Sequence, residues 1–515
     1  MFSANKLKVL FVSAVIFTAS CKKDFLERNP MNSVSSQVFW ASEADVQTGL
    51  AGVYSRLQQN FLGYERVYLE GLTDNAFADP GNGNQGGLSA ISLGNVTSST
   101  GGALTNMYTT PYRAISSANY FLDNADKAPV PEARLNVYKA EVRFIRALAY
   151  FDLVQVFGGV VVYKNFPKTL GDAKIAKSSA AEVYALIEED LDFAIANLPD
   201  EKYNGHAVKG SALALKARVL ITQQKWADAV PLLQQVISSG KFALSNNYAA
   251  IFLRGGQGNA AVNSEIIFST QYLAPANVQR TSPIGSGMNI ELGWWSLLQP
   301  YQDLVNEYEM KDGLPVSESP LYDPASPYAN RDPRLDLTVK LPNEVWKNGS
   351  GVEWTGSYVS STGFLMEKYV DLSLSPFTAN TATVTDQDYV HIRYADVLLM
   401  FAEAKNEATG PDGSVYAAIN AVRARPGINM PPVDEAKFNT KEKLREFIRH
   451  ERRVELALEG PRYFDLRRWN IAHIKLPTLT HPSGSPLVFQ TKHYQFPFPQ
   501  LDIDANPALI QNDGY

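Results

Sequence analysis

The 515-residue sequence has one cysteine, Cys21, and six histidines. One thiol excludes an intrachain disulfide and any chemistry that needs a cysteine pair. The histidines, at 206, 391, 450, 473, 481 and 493, form no His-x-His or His-Glu-x-x-His pattern. A zinc hydrolase therefore has no motif, and no metal or other cofactor is expected. A Gly-x-Ser-x-Gly elbow and a Walker loop are also missing. Positive charge is not in excess: the formal net charge is −6. A chain without a basic surplus has little to neutralise phosphates, so no nucleic-acid partner is expected. Beyond the N-terminus no apolar run approaches the roughly 20 residues of a membrane span.

What is present begins around the lone thiol. Lys6 and Lys8 are followed by an apolar run, Val9 to Phe17, then by Thr18, Ala19, Ser20 and Cys21. Basic, apolar, then small is the layout of a secretory signal. The run is about half the length of a bilayer span. A cysteine directly after the small residues marks a lipid-modified N-terminus, although Thr18 stands where leucine is usual. Residues 1–20 are read as a lipoprotein signal peptide, Cys21 as the lipidation site and 21–36 as a polar tether. Several acyl chains anchor stably, because each buried CH2 contributes about 0.8 kcal/mol.

Helical periodicity dominates much of the rest. Val46, Leu50, Val53 and Leu57 predict a helix over 43–60. In 138–159, apolar residues cover two faces and leave only Lys139, Arg143 and Arg146 as a polar strip. Such a helix is sandwiched between neighbours. Further helices are predicted over 180–197, 210–224, 225–242, 392–408 and 414–425. Ala-rich helix, short turn, Ala-rich helix resembles degenerate tetratricopeptide pairs, with an ordinary helical bundle as the alternative. The 243–390 segment differs: Pro, Gly, Ser, Asn and aromatics crowd in, with strands expected at 265–273 and 335–341. A long irregular segment of this kind is read as functional surface. The fold class is all-α, a helical scaffold carrying a loop-rich, aromatic-rich insert.

Two apparent motifs do not carry chemistry. Gly81, Gly83 and Gly86 satisfy Gly-x-Gly-x-x-Gly, but Asp79-Pro80 precedes them and a polar stretch follows, unlike a dinucleotide fold. Glu451, Glu455 and Glu459 lie four apart, as paired glycosidase carboxylates might be sought. Arg449, Arg452 and Arg453 lie among them and favour the ionised form, so an ion-pair network is expected.

Taken in order, several segments resemble the SusD/RagB family of outer-membrane nutrient-binding lipoproteins of Bacteroidota. They include Cys21 with "KKDFLE", "RALAYFDLVQVFGGV" (146–160), "GSALALKARVL" (210–220), "NSEIIFSTQY" (263–272), "YEMKDG" (308–313) and "NRDPRL" (330–335). "RYADVLLMFAEAKNE" (393–407), "ERRVELALEGPRYFDLRRW" (451–469) and "NPALIQNDGY" (506–515) complete the series. The resemblance implies a domain over 37–515, with about four tetratricopeptide-like pairs. Its scaffold would lie mainly in 105–242 and 389–470, and its loop-rich ligand face in 61–104 and 243–388. It implies a lipid-anchored protein on the outer-membrane surface that caps a SusC-like TonB-dependent transporter. Such a protein binds nutrient glycans and is not an enzyme. A peptide ligand, as in RagB-like members, is one alternative; a surface glycoside hydrolase and a helical assembly scaffold are others.

A sugar offers C–H faces and hydroxyls, so its binder wants flat rings beside hydrogen-bonding side chains. Two stretches supply both: Asp74, Asn75 and Asn82 in 72–87, and Asn289, Trp294, Trp295 and Tyr301 in 287–302. Trp346, Trp354 and Tyr358 form a third group.

Overall fold

The computed structural model describes residues 39–79, 86–274, 279, 287–347, 351, 353, 360–373 and 385–515. The signal peptide, the expected lipidation site Cys21, the tether, Asn82, Trp354 and Tyr358 lie outside the described residues.

About half the chain is helical, with few short strands, as expected for an all-α scaffold. The main helices are α1 (Glu43–Tyr54), α2 (Gly86–Ser92), α3 (Gly102–Asn124), α4 (Glu132–Phe157), α5 (Ala180–Asn197) and α6 (Lys209–Thr222). After them come α7 (Trp226–Ser238), α8 (Tyr394–Thr409), α9 (Gly413–Arg423), α10 (Lys441–Glu455) and α11 (Pro461–Arg468). Their starts are written locally. Ser179 and Glu182 form a reciprocal capping box on α5, and Asp412 and Thr440 cap α9 and α10. Gly158, at φ +70°, takes the left-handed turn that ends α4.

Consecutive helices stack: α3 on α4, α4 on α5, α5 on α6 and α6 on α7. The stack then jumps in sequence, for α7 packs against α8, which in turn carries α9 and α10. Buried alanines at 140, 147 and 149, at 212, 214 and 217, and at 395, 402 and 404 permit the close approach. The sandwiched helix expected over 138–159 is α4, buried on most of its circumference.

The described residues between α7 and α8 therefore form an insert that leaves the stack and returns. Its neck is a two-stranded antiparallel sheet, β2 (Ile266–Thr270) on β6 (Tyr389–Arg393), with an irregular register at Phe268. Two smaller antiparallel pairs organise the insert: β1 (Ala76–Ala78) with β3 (Leu298–Pro300), and β4 (Val339–Lys340) with β5 (Leu365–Met366). The strand expected at 265–273 is β2. The one expected at 335–341 shrinks to β4, because the chain through Leu335 and Thr338 is used in turns. The helix expected over 43–60 stops at Tyr54 and continues only as a 3-10 turn, Ser55–Gln58.

Two details differ from the sequence reading. The 3-10 segment Tyr64–Gly71 falls in the stretch assigned to the ligand face, yet every one of its residues is buried. The glycine motif at 81–86 does follow a strand and precede a helix, β1 and α2. It is no dinucleotide fold for another reason: β1 pairs antiparallel with β3, whereas the motif needs a parallel βαβ unit.

The charge cluster is an ion-pair network, as expected. Glu455 accepts hydrogen bonds from Arg393 at 2.6 Å, Arg425 at 2.8 Å and Arg334 at 2.9 Å. Glu451 accepts from Arg334 at 2.6 Å and Arg423 at 2.8 Å. Glu459 accepts from Arg393 and Lys368, and Glu265 of the neck joins Arg393 and Arg425. All these groups are buried. The network ties α10 to the neck strands and to the insert. Burial opposes the charges of Glu451 and Glu455, but the facing arginines outweigh it and hold both carboxyls below the usual range. A glycosidase acid needs the reverse shift.

Candidate functional site

The loop-rich face is built around β1 and β3, and its rings stand on a rare backbone element. Asn289–Trp294 forms a π-helical turn, closed by the Trp295 N–H on the Ile290 carbonyl at 2.9 Å. Such wide turns concentrate at functional sites. Ser296, at φ +53°, then swings the chain into β3. The turn leaves Trp294 and Trp295 half-buried, their inner parts packed on the core and the remainder in solvent.

Around the indoles lies a polar framework that is mostly interior. Glu291 accepts from the Tyr64 hydroxyl at 3.2 Å and from the Tyr68 hydroxyl. The Asn289 carboxamide accepts from the Asp371 N–H at 2.6 Å and donates to the Asp371 carbonyl at 3.3 Å. Gln299 donates to the Ser296 carbonyl and to Asp79, and accepts from the Ser361 N–H at 2.6 Å. Rings held by satisfied buried bonds lose little freedom when a ligand arrives. The supporting residues Tyr64, Tyr68, Glu291 and Gln299 were not singled out in the sequence. The one local signal was a glutamate within the largely apolar "MNIELGWW" (288–295).

Other predicted contacts turn inward. Asp74 is buried and held by a two-bond fork from Arg462, at 2.8 and 2.7 Å, with Arg453 at 3.2 Å. Burial would raise its pKa, but the two arginines hold it well below the usual carboxylate range. Asn75 accepts from Arg453 at 2.8 Å and donates to Glu70 at 2.7 Å. Burial lifts that Glu70 carboxyl to about 7, against the bonds from Asn75 and the Gly460 N–H. Asn289 serves the framework above. Tyr301 sits in a secondary apolar cluster with Phe77, Leu466 and Leu476. Trp346 is buried, its indole N–H on Glu367. Asp74, Asn75, Asn289 and Tyr301 thus present no open binding surface, and the ligand-contact expectation is corrected for all four. Asp74 and Asn75 instead clamp the first loop to α10 and α11.

Among the described residues, no group of three or more His, Cys, Asp or Glu side chains is placed to hold a metal ion. Nor is any described helix long and apolar enough to cross a membrane.

Comparison with known proteins agrees along the chain. A model described as the SusD family matches residues 264–515, and one described as starch-binding associating with outer membrane matches 24–221. A SusD-like protein of Formosa agariphila is 27% identical over 98% of this chain and 98% of its own length. The starch-binding protein SusD of Bacteroides thetaiotaomicron is 28% identical over 78% of this chain and 76% of its own. The solved SusD-like carbohydrate binding protein of Bacteroides fragilis is 29% identical, with a TM-score of 0.79. That match covers 92% of this chain and 100% of the other.

Proposed function

The chain belongs to the SusD-like family, and from that premise we propose that it is a surface lipoprotein that binds nutrient glycans without cleaving them. It passes them to a SusC-like TonB-dependent transporter in the outer membrane. The single observation that carries the reading is the adjacent, half-buried pair Trp294 and Trp295, each with part of its ring in solvent, on its pre-organised turn. Indole faces match the C–H faces of a sugar ring, and the rigid turn spares the ordering cost. Relatives described as carbohydrate-binding and starch-binding, at 29% and 28% identity, favour a saccharide. The absence of cleavage is supported by the fate of Glu451, Glu455 and Glu459, each buried against cations.

Calorimetric titration against plant, host and microbial glycans, with peptides as a further arm, tests the reading. Trp294→Ala and Trp295→Ala are each expected to weaken binding by about 1.5 kcal/mol or more, roughly tenfold in Kd. Unchanged affinity in folded variants moves the site elsewhere. Release of products from any glycan by the pure protein makes it a hydrolase. The anchor has its own test. Cys21→Ala should appear in the soluble fraction of the native host, because one-chain or no-chain anchoring is marginal. Retention of that variant in the outer membrane removes the lipid from the account.

A further inference from the structure

Away from the tryptophan face, a cleft of about 920 Å3 opens between α3, the chain at 161–174 and the C-terminal stretch 502–509. Its walls are tyrosines whose hydroxyls are already spent. Tyr112 donates to the Val161 carbonyl at 2.8 Å, and Tyr163 to the Ala173 carbonyl at 2.6 Å. The two rings meet edge to face at 5.9 Å and both keep partial exposure. Rigid rings with their polar ends tied back offer apolar surface at low entropic cost.

The cations of this cleft set it apart. Every described arginine except Arg56, Arg113, Arg331 and Arg467 has a carboxylate within ion-pair reach. Arg331 and Arg467 are buried and donate to backbone carbonyls. Arg56 and Arg113 alone among the described arginines keep a guanidinium open to solvent with no carboxylate, and both line the cleft. Arg56 is positioned by one bond, from its Nε to the Ser117 hydroxyl at 2.9 Å. Lys174 on the opposite wall is a third cation, with no acidic partner among the described residues. A chain that pairs its other exposed arginines and leaves these two open, in one concavity, is arranged for an anion from outside. A guanidinium recognises carboxylate or sulfate oxygens through paired, directional bonds.

We propose that this cleft is a second ligand site that takes an anionic saccharide, a uronate or sulfate ester, with its acidic group on Arg56 and Arg113 and a ring face against Tyr112 and Tyr163. The remaining wall suits hydroxyls. Asp502 faces the cleft without an ion-pair partner among the described residues, and burial raises its carboxyl above the usual range. It is an acceptor for sugar hydroxyls. A phospholipid headgroup would satisfy the arginines but leave the tyrosine walls and Asp502 without a role. The volume lies within the range of sites that enclose a small ligand. The site stands independently of what the tryptophan face binds.

Calorimetric titration of the full chain with an oligogalacturonate, a sulfated oligosaccharide and a neutral oligogalactose tests it, at low and at high salt. At least one acidic arm should bind saturably, and the arm that does names the anionic group. Affinity should fall roughly tenfold or more in the double variant Arg56→Gln/Arg113→Gln, fall with salt, and stay unchanged in Trp294→Ala. The single variant Arg113→Gln, at a side chain with no hydrogen-bond or ion-pair partner among the described residues, should show part of the loss with an unaltered melting curve. The site is overturned if neither acidic arm binds, if the double variant weakens the neutral sugar as much as the acidic one, or if it binds the acidic arm as the wild type does. Loss of acidic binding in Trp294→Ala also overturns it, as does binding confined to anionic lipid vesicles.

Discussion

Glu455→Ala is expected to cost at least about 3–5 kcal/mol of folding stability. That is a large part of the 5–15 kcal/mol that holds a typical domain together. The reason is asymmetry. A buried ion pair contributes little beyond what a well-packed apolar pair would contribute, but deleting one partner leaves the other charged and dry. Here three buried arginines, Arg334, Arg393 and Arg425, each lose one carboxylate at once, with only Glu451, Glu265, Glu459 and Asp332 left to share among them. Arg393 belongs to the neck strand β6 and Arg425 follows α9, so the loss falls where the insert joins the stack. Urea unfolding at neutral pH measures it, and a variant within about 1 kcal/mol of the wild type refutes this reading of the network. Acid should act in the same direction. The folded-state pKa of Glu455 is depressed, so its contribution is full above the unfolded value near 4.3 and is lost as pH falls toward the folded value. Glu455→Gln should therefore lose less stability than the wild type between neutral pH and pH about 3.

Asp74→Ala is the second large effect, also about 3–5 kcal/mol. It strands Arg462, which loses both arms of its fork, and takes one of three carboxylates from Arg453, which keeps Asp303 and Glu307. The decisive comparison is with binding. As a clamp between the first loop and α10–α11, Asp74 should change the melting temperature greatly and leave glycan affinity per folded molecule nearly as it was. A folded variant of normal stability that has lost its affinity would return Asp74 to the ligand surface.

Helices were legible because their information is local. The apolar stripes of α4, α5 and α7 repeat within a few residues, and the caps Ser179, Asp412 and Thr440 sit beside the helices they begin. The neck strand β2 was visible as a short apolar run. By contrast, "LTDN" (72–75) read as a polar, solvent-facing loop. Its partners Arg453 and Arg462 lie nearly the whole chain away. Nothing in the stretch itself distinguishes a carboxylate that meets water from one that meets a buried guanidinium. The reverse held for Arg56 and Arg113, which look like ordinary surface charges until it is seen that no carboxylate among the described residues lies within ion-pair reach of either.

By itself, then, the sequence determined the helical stack, the long irregular insert, the ionic character of 449–469 and the family, because periodicity and motif order survive without coordinates. Tertiary structure alone decided which polar side chains face inward. Burial and ion pairing depend on what lies across a gap in space, and only the folded chain brings residues hundreds of positions apart within bonding distance. The π-helical turn that leaves Trp294 and Trp295 half-buried while Asn289 disappears into the interior is the sharpest case: near neighbours in sequence, separated by the direction in which one backbone turn points them.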